Sequence, residues 1–256
     1  MTSPLNVCEA AARAAGDILR GMLGKITVRY KKNPFDLLTE ADLAAQKVIE
    51  EIVLGAFPDH QFIGEEGCSG SESEYRWFVD PLDGTTNFVH GVPLFATSVA
   101  LAKGDEPLCG VVYNPVMEEF YSAERGKGAF LNGKRIQASS AQTLGESLVA
   151  VGFPTETKLN SPDLIAFLKT IPAAQAIRRT GSTALNIAFV AAGRFDAMWG
   201  FAPHPWDVAA GALLVMEAGG SVTHPDGTAL CLDDPSPICA TANPILHAEA
   251  MRLLRG

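Results

Sequence analysis

The stretch 75–88 constrains the fold more than any other part of the sequence. Its first residues, 75–79, are mostly apolar and typical of a buried strand, and Asp80, Asp83 and Gly84 follow at once. A strand that ends in carboxylates and turns through glycine into a helix places hard oxygen ligands beside free backbone N–H groups. Oxygen ligands suit Mg²⁺, and N–H groups at a helix start suit phosphate. The stretch therefore predicts metal-assisted chemistry on a phosphate ester.

The composition excludes several other classes of protein. The chain has 256 residues and a net charge of −9, which argues against a surface that neutralises nucleic-acid phosphates, so no direct nucleic-acid binding is expected. Its five cysteines are widely spaced without a Cys-x-x-Cys pair, as expected for a reduced, cytoplasmic protein. No segment has about 18 uncharged apolar residues, so no membrane span is expected.

Helical and strand patterns alternate along the chain and predict an α/β fold of stacked helix and sheet layers, with sheets that are not purely parallel. Helices are expected at about 5–23, 39–56, 162–170, 182–192 and 207–217. Strands are expected near 61–63, 75–80, 96–101, 109–113, 119–123, 147–152, 175–179 and 197–199, with a hairpin turn at Asn132-Gly133.

Two loop segments are expected to matter for the organisation of the chain. The polar segment 139–146 predicts the boundary between an N-terminal half, 1–140, and a C-terminal half, 141–256. The first half would carry most metal ligands, and the second would carry the last metal aspartate and the substrate contacts. The basic segment 31–35 is expected to be a loop that could move over the site.

Four acidic residues are the candidate metal ligands: Glu65, Asp80, Asp83 and Asp207. Each has an ordinary alternative, since Glu65 could be a solvated loop residue, and Asp207, like Asp42, could be an acid favoured in the first turn of a helix. Together they would form a site for two or three Mg²⁺ ions. Metals about 4 Å apart can clamp the attacking and leaving oxygens of an in-line displacement, so a protein nucleophile is not needed.

Several motifs resemble those of the inositol monophosphatase family of Mg²⁺-dependent, lithium-sensitive phosphatases. They are Gly64-Glu65-Glu66, the run 77–88, Tyr113-Asn114-Pro115, the run 126–133, the run 206–211 and Glu217-Ala218-Gly219-Gly220. The resemblance covers nearly the whole chain. It implies an α/β/α/β/α sandwich of the inositol monophosphatase and fructose-1,6-bisphosphatase type, usually assembled as a homodimer.

The resemblance also implies roles for individual residues. Glu65, Asp80 and the Leu82 carbonyl would bind the first Mg²⁺; Asp80, Asp83 and Asp207 would bind the second; Glu65 would help a third. Thr85, paired with Asp42, would position and activate the water, and Glu65 belongs with them to the catalytic set. The substrate contacts would come from Asp83, Gly84, Thr85, Gly181, Ser182, Thr183 and Asp207.

The substrate is left open by one departure from the family pattern. Members that hydrolyse inositol phosphates carry an acidic residue seven positions before the last metal aspartate, and Gly200 stands there in this chain. A site that lacks this acceptor loses hydrogen bonds to the polyol or takes them from elsewhere. The candidate substrates are inositol monophosphate, histidinol phosphate, fructose 1,6-bisphosphate and 3′-phosphoadenosine nucleotides.

Alternatives to these assignments come from the residues near the site and from other protein classes. Gly181, Ser182 and Thr183 could simply cap a helix, and His204 could face the leaving group or stiffen its loop between two prolines. A second hypothesis is a protein-binding regulator of the transcription machinery, because some bacterial relatives have that link. A third, a metal-bound structural protein, does not explain the pairing of Asp42 with Thr85.

Overall fold

Two mixed β-sheets and the helices between and outside them form the fold. The structure is a computed structural model that describes residues 3–25, 28–30, 37–154 and 156–255, with only the backbone at 28–30. The helices of the described residues are α1 (Pro4–Met22), α2 (Glu40–Ala56), α3 (Thr85–Val89), α4 (Pro162–Thr170), α5 (Thr183–Ala191), α6 (Pro205–Glu217) and α7 (Pro244–Arg255). The predicted loop at 31–35 lies outside the described residues.

The larger sheet has eight strands and carries the sequence that ends at Asp83. In chain order they are β3 (Gln61–Gly64), β4 (Gly67–Gly70), β5 (Tyr75–Asp83), β6 (Ala96–Lys103), β7 (Glu106–Asn114), β8 (Glu119–Glu124), β9 (Gly128–Leu131) and β10 (Lys134–Arg135). Their order in the sheet is β10-β9-β8-β7-β6-β5-β3-β4, and β3 and β5 are the parallel pair. A separate small hairpin pairs β1 (Val28–Tyr30) with β2 (Leu37–Thr39).

The smaller sheet has five strands and joins parallel and antiparallel pairs. They are β11 (Leu148–Gly152), β12 (Ala176–Arg178), β13 (Ala197–Gly200), β14 (Ser221–Thr223) and β15 (Ile238–Thr241). Their order is β12-β11-β13-β15-β14, and β11 runs parallel to both of its neighbours. The carboxyl ends of β11, β12 and β13 therefore meet at one edge of the sheet.

Three hydrophobic clusters set the order of the layers. Strand β5 is buried on both faces: Trp77 and Val79 pack with α1 and α2, whereas Phe78 packs with α5 and α6. The same central cluster includes Met198 of the smaller sheet, so α5 and α6 lie between the two sheets. The third cluster joins the outer face of the smaller sheet to α7, with Phe167 of α4 packed against it. The layers are thus α/β/α/β/α, which confirms the predicted fold class.

The elements that were not predicted lie in two parts of the chain. In the first half they are the short strands β1, β2 and β4, and near the C-terminus they are β14, β15 and helix α7. Helix α6 begins at Pro205, two residues before the predicted start, because proline is well suited to the first turn of a helix. No helix of the described residues is both long and apolar enough to cross a membrane.

Candidate active site

The end of strand β5 forms the floor of the site. Asp80 is 2% exposed and Asp83 is 8% exposed, and the pairing of β5 with β6 shifts register between them. The Leu82 N–H donates to Asp80 Oδ1 over 2.9 Å. The register shift lets both carboxylates approach the same point, which a regular strand would not do because Asp80 and Asp83, three residues apart, would lie on opposite faces.

Asp207 completes a group of three carboxylates. Oxygen atoms of Asp80, Asp83 and Asp207 all lie within 4.8 Å of one another. Asp207 is partly buried and stands at the third residue of α6, where its Oδ2 accepts the His204 N–H over 2.8 Å. Glu65, which follows β3, lies close enough to Asp80 for its charge to raise the pKa of that carboxyl group. The structure therefore brings the four predicted acids together from two strand ends and one helix start.

The carboxylates of the site are held at high electrostatic cost. Burial, followed by the negative charges of neighbouring acids, raises the pKa of Asp80 well above its usual value, and burial and the charge of Asp83 do the same for Asp207. Burial raises the pKa of Asp83 to about 6, although hydrogen bonds from Ser182, Ala184 and Thr183 oppose the rise. Within the described residues no lysine or arginine forms an ion pair with these three aspartates. A set of buried oxygen ligands without a protein cation fits a divalent metal such as Mg²⁺.

Thr85 and Asp42 meet beside this group. The Thr85 hydroxyl lies 3.3 Å from Asp42 Oδ1 and 3.1 Å from the Leu82 carbonyl oxygen, and both can accept from it. Asp42 is fully buried in the first turn of α2, and its Oδ2 accepts the N–H and hydroxyl of Thr39 at 2.8 and 2.6 Å. The capping box of α2 thus orients the Asp42 carboxylate so that its other oxygen faces Thr85.

Gly84 makes the turn from β5 into α3 possible. Its φ is +92°, and a Cβ there would lie 3.0 Å from the Leu94 carbonyl oxygen. A residue with a side chain would be strained in this conformation, whereas glycine adopts it freely. The turn begins α3 at Thr85, directly after the carboxylates.

The start of helix α5, which lies between the two sheets, meets the end of β5 at the site. Its first N–H groups, from Thr183 and Ala184, donate to Asp83 Oδ1 and Oδ2 over 3.1 and 2.9 Å. The Ser182 hydroxyl donates to Asp83 Oδ2 as well, and the Ser182 residue is only 1% exposed. Gly181, with a φ of +87°, packs against Asn87, where a Cβ would lie 3.0 Å from Asn87 Nδ2. Of the three predicted substrate contacts here, Ser182 is directed at Asp83 rather than at solvent.

Gly200 and His204 occupy the side of the site formed by β13 and the following loop. A Cβ at Gly200 would have Met198 Cε, 3.8 Å away, as its nearest neighbour, so the backbone does not require glycine at this position. His204 is exposed and stacks on the Trp206 ring at a centroid distance of 4.9 Å. Its backbone N–H donates to Asp207 Oδ2, so His204 helps to orient one of the three carboxylates.

Two polar residues that had no predicted role hold the loops of the site. Gln46 Oε1 accepts the Glu66 N–H over 2.8 Å and so fixes the turn that carries Glu65. Asn87 Nδ2 donates to the carbonyl oxygens of Leu94 and Thr180, at 2.6 and 2.8 Å, and ties α3 to the segment before α5. Gln46 lies one helical turn after Asp42, which is the signal in the sequence that could have identified it.

Comparisons with known proteins agree on one family. The model of the inositol monophosphatase family matches residues 2–255. A curated relative, the fructose-1,6-bisphosphatase/inositol-1-monophosphatase of Aquifex aeolicus, is 41% identical over 86% of this chain and 84% of its own length. The Nus factor SuhB of Pseudomonas aeruginosa is 42% identical over 87% of this chain and 86% of its own. The crystal structure of the extragenic suppressor protein suhB of Bartonella henselae superimposes with a TM-score of 0.92 at 38% identity and covers 99% of both chains.

Proposed function

Because the chain belongs to the inositol monophosphatase family and is a phosphoric monoester hydrolase, we propose that it hydrolyses a small phosphorylated metabolite with Mg²⁺-activated water. One observation carries the metal part of the proposal: three aspartates with oxygens within 4.8 Å of one another, with burial raising their pKa values. Such a cluster is stable at neutral pH when a divalent cation neutralises it.

The metal would be held by the side chains of Glu65, Asp80, Asp83 and Asp207 and by the carbonyl oxygen of Leu82. When bound, two or three Mg²⁺ ions would lower the pKa of a water molecule and neutralise the phosphate charge. As metal ligands, Asp83 and Asp207 would also lie next to a substrate bound at the metal.

The protein groups beside the metal ligands would bind the phosphate and move a proton. The backbone N–H groups of Gly84 and Thr85 would bind the phosphate oxygens at the start of α3. The Thr85 hydroxyl would pass its proton to Asp42 Oδ1, 3.3 Å away, and accept the proton of the attacking water. Thr39 donates to the other Asp42 oxygen and so keeps Oδ1 directed at Thr85.

The leaving group would lie at the carboxyl edge of the smaller sheet, near Gly181, Thr183 and Gly200. Gly200 offers no side-chain acceptor for a sugar hydroxyl, which favours a substrate whose leaving group is held by backbone groups or by Thr183. The deciding experiment is phosphate release from inositol 1-phosphate, fructose 1,6-bisphosphate, histidinol phosphate and 3′-phosphoadenosine nucleotides, with Mg²⁺ and with a chelator. Strong Mg²⁺-dependent preference for one compound is expected; a folded protein that binds Mg²⁺ yet cleaves none of them would contradict the proposal.

We propose a homodimer as the assembled form. Helix α4 and its C-cap residue expose apolar side chains at intervals of three: Ile165, Leu168 and Ile171 are 44%, 55% and 53% exposed. The preceding Leu159 is 93% exposed. A row of exposed apolar side chains on one helix favours contact with a second surface. Light scattering of the purified protein would distinguish a dimer from a monomer.

A cytoplasmic location is supported by the cysteines. They are odd in number and widely spaced, without a Cys-x-x-Cys pair, which is typical of a chain that stays in a reducing compartment. Fractionation of cells that express the chain would test the location.

A regulatory role in transcription is a second candidate function, favoured by the relatives named Nus factor SuhB. Such a role would need a protein partner rather than a nucleic-acid surface, given the net charge of −9. Complementation of a deletion strain separates the two functions: an inactive Asp207→Asn variant should restore growth if the partner role dominates. If it fails while the parent chain succeeds, the enzymatic role accounts for the phenotype.

A further inference from the structure

Ser182 connects the start of helix α5 to a carboxylate at the end of strand β5 in the larger sheet. Its side chain is the N-cap of α5 and accepts the Leu185 N–H over 3.2 Å. The same hydroxyl donates to Asp83 Oδ2 at the end of β5, 99 residues away in the sequence. Because Ser182 is 1% exposed, both hydrogen bonds are shielded from water. Hydrogen bonds to charged groups are strongest in such a water-shielded place.

The direction of these hydrogen bonds is fixed by chemistry. The Leu185 N–H can only donate, so Ser182 Oγ must accept from it. The single hydroxyl proton of Ser182 is then available for one acceptor, and Asp83 Oδ2 is in position. In this arrangement Asp83 Oδ2 is the acceptor, which is the state of a carboxylate that binds metal.

Asp83 differs from the other aspartates of the site in how it is held. Asp80 accepts the Leu82 N–H and Asp207 accepts the His204 N–H, both from residues two or three positions away. Asp83 accepts three hydrogen bonds, from Ser182, Thr183 and Ala184, all of them at the start of α5 and about 100 residues away in the sequence. The orientation of Asp83 therefore depends on how α5 docks against β5.

We propose that Ser182 is a positioning residue that acts through Asp83: its hydroxyl fixes the rotamer of that carboxylate and thereby sets the affinity of the site for Mg²⁺. The inference rests on the proposed function, because it assumes that Asp83 binds metal. It assigns Ser182 no contact with the substrate. Groups that orient a metal ligand in this way typically change metal affinity by about 10- to 100-fold when they are removed.

The test compares Ser182→Ala and Ser182→Thr with the parent chain, by calorimetric titration of Mg²⁺ into the full-length, metal-free protein and by steady-state kinetics. Ser182→Ala is expected to weaken Mg²⁺ binding about tenfold, because Asp83 loses its side-chain donor. The rate at saturating Mg²⁺ should recover to within about threefold of the parent, and the KM for substrate should stay unchanged. Ser182→Thr keeps the hydroxyl and should restore most of the Mg²⁺ affinity.

Ser3→Ala is the matched control, since Ser3 is also a helix N-cap and accepts the Asn6 N–H over 3.2 Å. It should lower the melting temperature through the loss of a helix cap, as Ser182→Ala does, and leave Mg²⁺ affinity unchanged. An Mg²⁺ affinity in folded Ser182→Ala equal to that of the parent would overturn the inference and leave the proposed function intact. So would a raised KM for substrate without a change in Mg²⁺ affinity, which would make Ser182 a substrate contact. A parent chain that neither binds Mg²⁺ nor releases phosphate would instead reject the proposed function.

Discussion

Two groups of acidic residues in this protein have similar geometry and opposite surroundings. Oxygen atoms of Asp80, Asp83 and Asp207 lie within 4.8 Å of one another, and so do the ligand atoms of a second group formed by Asp105, Cys231 and Asp233. The first group is buried or partly buried, whereas Asp105 and Asp233 are exposed.

The second group has a protein cation and the first has none among the described residues. Arg76 forms an ion pair with Asp233 and lies 3.9 Å from Asp105. Cys231 Sγ donates to Asp105 Oδ1 over 3.7 Å, so the thiol is also engaged within the group. Closeness of ligand atoms therefore does not by itself indicate a metal site. What distinguishes the first group is buried negative charge that no lysine or arginine of the described residues neutralises.

The largest expected effect comes from removing one charge of the buried group. Asp207→Asn keeps the size of the side chain and the acceptor for the His204 N–H, but it removes one negative charge of the proposed metal site. We expect the rate of phosphate release to fall by at least about 10³-fold, because several kcal/mol of transition-state stabilisation are lost and each ~1.4 kcal/mol is tenfold. Asp83→Asn should lose activity to a similar extent. Initial rates at saturating Mg²⁺ on the preferred substrate measure both.

The same variants should keep the fold. The metal-free Asp207→Asn protein is expected to melt at a temperature equal to or above that of the metal-free parent, because one of several repelling buried charges is gone. Near-normal turnover by a folded Asp207→Asn protein would show that the buried group is not the metal site.

A smaller effect is expected on the pH dependence of stability. Burial raises the pKa of Asp83 from its usual 3.8 to about 6, so the folded metal-free protein binds a proton more tightly than the unfolded chain does. Stability from this group is therefore fully present below about pH 3.8 and is lost as the pH rises through about 6. In chelator, the melting temperature should fall on the order of 5 °C between about pH 5 and about pH 7.5.

Mg²⁺ should abolish that fall, because the ion replaces the proton as the counter-charge of the carboxylates. Scanning calorimetry of the same sample with Mg²⁺ and with chelator provides the comparison. If the melting temperature depends on pH in the same way with Mg²⁺ and with chelator, metal and proton do not compete for the buried carboxylates. The proposed difference between the buried and the exposed group would then be contradicted.

The sequence predicted the parts of the site that depend on local patterns. Asp80, Asp83 and Gly84 lie in one strand–turn–helix unit, and the capping box of Thr39 and Asp42 lies within four residues, so short-range patterns reveal them. The contact of Ser182 with Asp83 spans 99 residues and depends on how two sheets pack around α5, which no local pattern encodes. The roles of the individual site residues remain predictions that the proposed variants test.

The fold shows the same division between local and long-range information. Long amphipathic helices such as α1 and α2 were predicted within a few residues, whereas the short edge strand β14 was missed. Strand β14 has only three residues, which is too short for an alternation of apolar and polar positions to identify a strand. Its pairing with β15 comes from tertiary packing rather than from its own sequence.

The smallest effect is expected from substitutions in the exposed group, and a lack of effect there would support the comparison. Asp233→Asn removes an ion pair with Arg76 in which the Asp233 side chain is 68% exposed, so solvent already screens most of the interaction. We expect turnover, Mg²⁺ stoichiometry and the pH dependence of melting to match those of the parent, with a change in stability below about 1 kcal/mol. Asp105→Asn should behave alike, apart from the loss of a charge that accepts the Leu232 N–H over 2.8 Å. A drop in Mg²⁺ stoichiometry in either variant would mean that the exposed group also binds metal, despite the ion pair with Arg76. Burial of negative charge would then not be what separates a metal-binding group from other acidic groups in this protein.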